Sequence, residues 1–225
     1  MSAGAVPVRI VIIAKAPRPG YAKTRLIPAL GAQGAAALAQ QMLRHAVRIA
    51  LQANVGPVEL CAAPNRRDPA WTALALPTGL LWSDQGEGDL GERMARAALR
   101  TVHRGESVLL IGTDCPQMDA SHLQRAAASL QNHDACLTPT VDGGYALLGL
   151  TQFHASLFGH MPWSTAAVAA QTQARAAVIP WTLHLLDTLR DVDEPCDLLA
   201  LPAGWHAHPN FSSTPTFTRN TLESS

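Results

Sequence analysis

Short apolar runs alternate along this chain with longer segments in which apolar residues recur every three or four positions. Residues 108–111 are an apolar run of the kind that forms a strand buried on both faces of a parallel sheet, and residues 8–14, mostly apolar and β-branched, predict the first strand. Between them, Leu38, Met42, Ala46 and Ile49 make one apolar stripe, which predicts an amphipathic helix over about 32–53. The alternation of strands and helices predicts an α/β fold with a layered sheet.

The same patterns and their turn residues predict the remaining elements. Further strands are predicted at 58–63, 80–82, 134–139 and 181–186, and further helices from about 94 to 103, from 120 to 132 and up to 177. Helix N-caps are predicted at Asp119, at Ser164 or Thr165, and at Asp193, where Pro195 follows in the first turn. Residues 140–150 contain the turn sequence Asp-Gly-Gly, which is typical of a hairpin.

Length and composition narrow the classes of protein. The chain has 225 residues, and we expect one domain over 1–208 followed by a tail, 209–225, whose Ser, Thr and Asn content predicts disorder. Lys and Arg number 17, as do Asp and Glu, so the formal net charge is zero and gives no reason to expect a nucleic-acid or membrane partner. The sequence contains neither a signal peptide nor an apolar run of membrane length, which predicts a cytoplasmic protein.

Cysteine and histidine spacing does not indicate a zinc site. The four cysteines are far apart and form no CxxC pair, so we expect free thiols in a reducing compartment. The nine histidines show no HExxH spacing, and we expect them to be scattered over the surface and the core.

A basic loop follows the first predicted strand. Lys15, Arg18, Lys23 and Arg25 lie within twelve residues that also hold two prolines and a glycine. Proline and glycine fix an irregular path, and the cations supply hydrogen-bond donors along it. The position directly after the first strand favours phosphate binding, while a merely solvated basic loop is the alternative.

Two acidic loops are the counterparts of the basic one. Asp114 follows the apolar run 108–111, and Pro116 ends that strand. Ligands of open α/β sheets bind outside the carboxyl ends of the strands, so Asp114 is a candidate for holding a divalent cation, with a simple turn cap as the alternative. Asp142 stands before two glycines, which allow either an ordinary hairpin turn or a close approach of a ligand to the backbone.

Together, the three loops indicate a nucleotide bound through Mg²⁺ or Mn²⁺. The cations would hold phosphate and the carboxylates the metal, and the reaction class would be transfer at a phosphate or at an attached sugar. A P-loop kinase fits less well, because the sequence Gly20-Tyr21-Ala22-Lys23-Thr24 lacks the first glycine and the Gly-Lys step of that motif. A Rossmann dehydrogenase would need GxGxxG after the first strand, and this chain lacks it.

Five segments in order resemble a family of GT-A-type, glycosyltransferase-like proteins related to the guanylyltransferases of 2-phospholactate and of the molybdenum cofactor. They are 14–20, 23–26, 112–116 (Gly-Thr-Asp-Cys-Pro), 142–145 (Asp-Gly-Gly-Tyr) and 191–198, which contains Asp-Val-Asp. The resemblance covers about 8–201. It implies a single GT-A (nucleotide-diphospho-sugar transferase) domain, with three α/β/α layers and a mixed, mainly parallel sheet.

The resemblance also implies roles for individual residues. Asp114, Lys23 and Asp142 are the catalytic candidates, and Asp142, Gly143, Gly144 and Tyr145 match a segment that faces the acceptor or sugar. For the Mg²⁺ or Mn²⁺ ion, Asp114 is the first ligand, and Asp193 is preferred to Asp191 as the second. The nucleotide-binding candidates are Lys15, Arg18, Lys23, Thr24, Arg25 and Thr113.

Three functions remain open at this point. The first is a metal-dependent transferase that uses a nucleotide-sugar or a nucleoside triphosphate and an unknown small-molecule acceptor. The second is a nucleotidyltransferase of the guanylyltransferase type, and the third is a nucleotide-binding module without turnover. The residues do not decide between glycosyl and nucleotidyl transfer, and they leave the oligomeric state open.

Overall fold

Seven strands form one sheet in the computed structural model, which describes residues 7–205 of the chain. The strands are β1 (Val8–Lys15), β2 (Val58–Ala63), β3 (Leu81–Asp84), β4 (Ser107–Ile111), β5 (Ala135–Pro139), β6 (Tyr145–Leu150) and β7 (Leu183–Leu185). The helices are α1 (Ile27–Ala53), α2 (Pro69–Thr72), α3 (Leu90–Val102), α4 (Ala120–Ser129) and α5 (Val168–Val178). Short 3₁₀ turns lie at Thr24–Leu26, Ala155–Leu157 and Pro195–Ala200.

The strand order across the sheet is β3-β2-β1-β4-β6-β5-β7. β6 runs antiparallel to β4 and to β5, and every other neighbouring pair is parallel. The predicted single α/β domain with a mixed, mainly parallel sheet is therefore confirmed. The segment 140–144 joins β5 to its antiparallel neighbour β6, as the hairpin prediction required.

Alternate residues of the central strand β4 pack into two apolar layers, one on each face of the sheet. Leu109 and Ile111 pack in the layer beneath α1 and α4, whereas Val108 and Leu110 pack in the layer beneath α3 and α5. Because successive side chains of a strand point to opposite faces, a strand covered on both faces is mostly apolar along its whole length. This is why 108–111 is an uninterrupted apolar run, and it gives the three-layer arrangement.

The observed helix starts confirm one predicted N-cap and correct one predicted helix boundary. The Asp119 cap is confirmed, because its carboxylate accepts a 2.7 Å hydrogen bond from the backbone N–H of His122. The first long helix begins at Ile27 rather than near residue 32, and Gly31 interrupts it with a φ of 68°. The predicted start was late because the segment before Gly31 is a single turn without an apolar stripe.

Two predicted caps were wrong. Helix α5 begins only at Val168, with Ala167 at the N-cap, and the Thr165 hydroxyl instead donates to the carbonyl of Pro162. The second wrong cap is that of the 3₁₀ turn Pro195–Ala200, whose N-cap is Glu194, one residue after the predicted Asp193. Asp193 is instead engaged by a lysine from the opposite end of the chain, as described below, so tertiary contacts override the local capping preference.

The remaining predictions concern the ends and the cysteines. The predicted disordered tail, 209–225, lies outside the described residues. The four cysteines are free thiols, three of them buried. Between residues 7 and 205, no helix is long and apolar enough to cross a membrane.

Candidate functional site

The polar loops meet at one edge of the sheet. The loops after β1 and β4 follow the carboxyl ends of parallel strands, and the β5–β6 loop reaches the same edge because β6 enters the sheet there. A cavity of about 660 Å³ opens between these loops. This is the crevice in which ligands of open α/β sheets bind.

The chain beyond β7 also reaches this cavity. After β7, Leu189 pairs with Thr140, and the N–H of Val141 donates to the carbonyl of Leu189 at 3.0 Å. Further along, the N–H of Val192 donates to the carbonyl of Asp114 at 2.9 Å. These main-chain bonds bring the 191–193 segment against the loop that carries Asp114.

The side chain of Lys23 joins two predicted metal ligands. Its ammonium lies 2.7 Å from Asp114 Oδ1 and 2.6 Å from Asp193 Oδ1, and it donates to the carbonyl of Val192 at 2.6 Å. The lysine side chain is only 7% exposed, whereas the two carboxylates are 45% and 38% exposed. Burial alone would lower the pKa of Lys23, but the two carboxylates outweigh it, so the net shift of the pKa is upward.

The backbone conformation of the basic loop places the Lys23 side chain between the two carboxylates. After β1, Pro17, Pro19 and Gly20 set an irregular path, and Lys23 itself has the left-handed φ and ψ of 51° and 43°. A left-handed conformation is unfavourable for a non-glycine residue and persists only where other contacts hold it. At Lys23 those contacts are the three made by its ammonium.

A second pair of carboxylates lies beside the first. Partial burial raises the pKa of Asp191 to about 6, and the negative charges of Asp142, Asp193 and Asp197 add to the increase. Neither Asp142 nor Asp191 has an ion pair among the described residues. The site therefore has one pair of acids bridged by Lys23, with Arg25 also 3.9 Å from Asp193, and one pair without an ion pair.

The Asp142 loop has a fixed shape. Asp142 Oδ1 accepts hydrogen bonds from the Thr140 hydroxyl at 2.5 Å and from the N–H of Gly144 at 2.9 Å. Gly143 has a φ of 89°, and a Cβ at this position would lie 2.1 Å from the carbonyl oxygen of Ala166. The second residue of the Asp-Gly-Gly sequence therefore has to be glycine, and this lets the 163–168 segment pack on the loop.

Most of the predicted site residues converge on the cavity, but two do not. Arg18 is directed away: it pairs with Asp68 at 3.2 Å and lies over the ring of Tyr21. Gly143 packs against the backbone of Ala166 and does not line the cavity either. The predicted residues that line the cavity are Lys15, Lys23, Thr24, Arg25, Thr113, Asp114, Asp142, Gly144, Tyr145, Asp191 and Asp193.

Asp114 and Asp193 fit a divalent cation that is also coordinated by a bound ligand. In the described chain, no three His, Cys, Asp or Glu side chains are arranged to hold a metal ion alone. Mg²⁺ is commonly held by one or two carboxylates together with substrate phosphates, and Asp114 and Asp193 already converge on one positive charge, the Lys23 ammonium. The donor set thus fits a metal completed by phosphate oxygens.

Cys115 is a poor candidate for a nucleophile. It is buried next to Asp114, and burial, with the nearby charges of Asp114 and Asp191, raises the pKa of its thiol well above the usual value. A reactive cysteine needs the opposite shift of pKa.

Gln85, Arg93, Met94 and Trp163 are among the cavity-lining residues that sequence reasoning missed. Gln85 is buried, and its amide donates to the carbonyls of Ala14 and Cys61 at 2.9 and 3.0 Å. Arg93 donates to the carbonyl of Gly88 at 2.9 Å. The acidic, glycine-rich stretch 84–89 was a usable signal, since it follows β3 at the same edge of the sheet and leads into α3.

Comparisons with known proteins agree with this architecture. Residues 46–165, just over half of the chain, match the family described as "Uncharacterized protein conserved in bacteria (DUF2064)". A "putative nucleotide-diphospho-sugar transferase" from Desulfovibrio desulfuricans G20 superposes with a TM-score of 0.80 at 26% identity, over 92% of this chain and 93% of that one. A search of curated proteins finds no similar sequence.

More distant structures share the fold. The 4-diphosphocytidyl-2C-methyl-D-erythritol synthase of Anaerococcus prevotii DSM 20548 has a TM-score of 0.59 at 8% identity, over 87% of this chain and 96% of that one. The CMP:2-keto-3-deoxy-manno-octonic acid synthetase, solved with CTP, has a TM-score of 0.52 at 11% identity, over 86% and 95% of the two chains. The fold is that of the nucleotide-diphospho-sugar transferases.

Proposed function

We propose that this chain, which belongs to the DUF2064 family, is a metal-dependent transferase whose donor is a nucleotide-sugar. The observation that carries the proposal is the convergence of Asp114 and Asp193 on the Lys23 ammonium at the carboxyl edge of the sheet. That arrangement holds a positive charge where the phosphates of a donor would lie. The structural relative from Desulfovibrio supports a nucleotide-sugar as the donor.

The proposed roles follow from charge and position. Asp114 and Asp193 would hold Mg²⁺ or Mn²⁺, which when bound supplies positive charge to the phosphate oxygens of the leaving group. Lys15 and Arg25, at the cavity wall, would contact the donor phosphates, and Lys23 would do so once the metal takes its place between the carboxylates. Asp142, held by Thr140 and Gly144, faces the remaining space and would orient a hydroxyl of the acceptor.

Nucleotidyl transfer from a nucleoside triphosphate is the second candidate, because the same cations and carboxylates would serve its triphosphate. The two reactions differ in what they release. Glycosyl transfer releases a nucleoside diphosphate, whereas nucleotidyl transfer releases pyrophosphate.

The test is a thermal-shift panel. The protein is melted with nucleoside di- and triphosphates and with nucleotide-sugars, in Mg²⁺, in Mn²⁺ and in a chelator, because a ligand that binds the native state raises Tm. We expect a metal-dependent increase with a nucleotide-sugar and with its diphosphate. An increase confined to a triphosphate would favour nucleotidyl transfer, and one independent of metal would favour a binding module without turnover. An unchanged Tm throughout would contradict the proposal.

A further inference from the structure

Two histidines from distant parts of the chain meet at the β7 edge of the sheet. His133 lies just after α4, and His184 is the middle residue of β7. Their rings have centroids 5.0 Å apart, with planes inclined by 41°. Both residues are half-buried, so an ion from solution can reach the rings while the surrounding protein holds them. The spacing of histidines along the chain gave no sign of this pair.

The ring of His133 is held in one tautomer. Its Nδ1 lies 3.0 Å from the carbonyl oxygen of Ser129, in the last turn of α4. A carbonyl can only accept a hydrogen bond, so Nδ1 carries the proton and Nε2 of the neutral ring has a free lone pair. Histidines that bind metals typically donate their other N–H to a carbonyl or a carboxylate in this way. His133 is therefore prepared to coordinate a metal through Nε2.

His184 has both ring nitrogens available on the same face of the sheet. It pairs in register with Cys136 of β5, whose side chain packs in the layer beneath α4, so the imidazole lies on the α4 side, where His133 is. Neither ring nitrogen of His184 has a hydrogen-bond partner between residues 7 and 205, and neither is sealed from solvent. One of them is free to bind the same ion as His133.

The backbone that carries the two histidines is fixed by their neighbours. The N–H of Asp134 donates to the Thr182 hydroxyl at 2.9 Å, while the hydroxyl and the N–H of Thr182 donate to the Asp134 carboxylate at 2.7 and 2.8 Å. The parallel pairing of β5 with β7 continues from this contact. A site whose ligands are held in advance loses less affinity to the ordering of its side chains.

The distance between the rings fits one shared ion. A Zn²⁺ ion about 2.0–2.1 Å from a nitrogen of each ring would lie roughly 3.2 Å from each ring centre. Two rings that share this ion at an angle of about 90–110° would have their centres roughly 4.5–5.2 Å apart. The observed separation of 5.0 Å between the rings of His133 and His184 lies within this range.

The ligand type indicates which ions fit. Imidazole suits Zn²⁺, Ni²⁺ and Cu²⁺, whereas Mg²⁺ takes oxygen ligands, such as those of Asp114 and Asp193. In the described part of the chain, no third His, Cys, Asp or Glu side chain completes the set, so water would fill the remaining positions.

We propose that His133 and His184 form a separate metal site, which binds one late first-row transition-metal ion, such as Zn²⁺ or Ni²⁺, through a nitrogen of each ring. The ion would clip the short edge strand β7 to the connection between α4 and β5. Because the chain after β7 runs on to Asp191 and Asp193, the clip would also stabilise the segment that completes the candidate site. This inference does not depend on the proposed transferase activity.

The test is a calorimetric titration of the untagged chain with Ni²⁺, in excess Mg²⁺ so that the oxygen ligands have their preferred ion. We expect one Ni²⁺ per chain to bind, and His133→Gln and His184→Gln each to weaken this binding about tenfold or more. His103→Gln is the matched control, because it removes an exposed histidine at the end of α3. Cys196→Ser is the second control, because an exposed thiol can bind Ni²⁺ by itself. Both controls should leave the affinity unchanged.

A measurement on the wild type keeps the test decisive if a histidine variant does not fold. Paramagnetic Cu²⁺, added below one equivalent, should broaden the NMR signals of the His133 and His184 rings before that of the His103 ring. Unchanged Ni²⁺ affinity in either His133→Gln or His184→Gln would overturn the inference. So would the absence of Ni²⁺ binding, its loss in Cys196→Ser, or Cu²⁺ broadening that spares the two rings.

Discussion

The Lys23 ammonium lies 2.7 Å from Asp114, although the lysine belongs to the loop after β1 and the aspartate to the loop after β4. It is equally close to Asp193, at 2.6 Å. An internal cation thus holds together two carboxylates that would otherwise repel each other. We expect the same two carboxylates to bind a divalent cation in its place, so the lysine and the metal should compete.

Removing the lysine tests this competition. Lys23→Met leaves Asp114 without an ion pair and Asp193 with only Arg25, at 3.9 Å, and we expect it to destabilise the fold by about 1–2 kcal/mol, since both carboxylates are partly solvated. Millimolar Mg²⁺ should then raise the Tm of the variant more than that of the wild type. Lys15→Met, which removes an exposed cation of the same cavity, is the control. An equal Mg²⁺ response in the wild type and in Lys23→Met would contradict the competition.

The pKa of Asp191 predicts a pH-dependent stability. Its folded-state pKa of about 6 lies above the usual 3.8, so the folded protein binds the proton more tightly and loses stability as pH rises from about 4 to 6. Asp191→Asn removes this loss. Because Asp191 is only partly buried, we expect the variant to be about 1 kcal/mol more stable above pH 6 and little changed at pH 4.

The measurement is a series of urea or thermal unfolding curves between pH 4 and 8. Asp187→Asn is the control, because the side chain of Asp187 is 82% exposed. If the stability difference between Asp191→Asn and wild type is independent of pH, the assigned environment of Asp191 is wrong.

Gly143 should be far less tolerant of a side chain than Gly112. Gly143→Ala would have to adopt a φ of 89° and place its Cβ 2.1 Å from the Ala166 carbonyl, so we expect a loss of about 2–3 kcal/mol. Gly112 lies outside the left-handed region, and a Cβ added there would meet no atom within 4 Å, so Gly112→Ala should change stability little. Denaturant unfolding of both variants checks this, and similar losses for the two would refute it.

The sequence predicted the sheet well because its central strands are buried on both faces. A short apolar run such as 108–111 is typical of a buried strand. The polar loops at 15–26, 112–116 and 140–144 come directly after such strands in the sequence, so their place at the strand ends was predictable. The Asp119 cap was also predictable, since capping is local. These features depend on residues close together in the chain.

Contacts between distant parts of the chain were not predictable in this way. Nothing local in the sequence pairs Lys23 with Asp193 or turns Arg18 toward Asp68. Trp163 was missed for the same reason, because its place on the cavity wall depends on a missing side chain at Gly91, in another element. The place of Trp163 on the cavity wall therefore emerged only from the three-dimensional arrangement.

The most direct test of the central claim is calorimetric titration of wild type and Asp114→Asn with the nucleotide that gives the largest thermal shift, in Mn²⁺ and in chelator. Asn keeps the size of the side chain and removes its charge, and Asp187→Asn controls for the loss of an exposed carboxylate. We expect Mn²⁺ to tighten nucleotide binding to wild type, and Asp114→Asn to lose at least about tenfold of that affinity, a difference of about 1.4 kcal/mol. Equal Mn²⁺-dependent affinity in the two proteins would contradict the role of Asp114 and, with it, the proposed metal site.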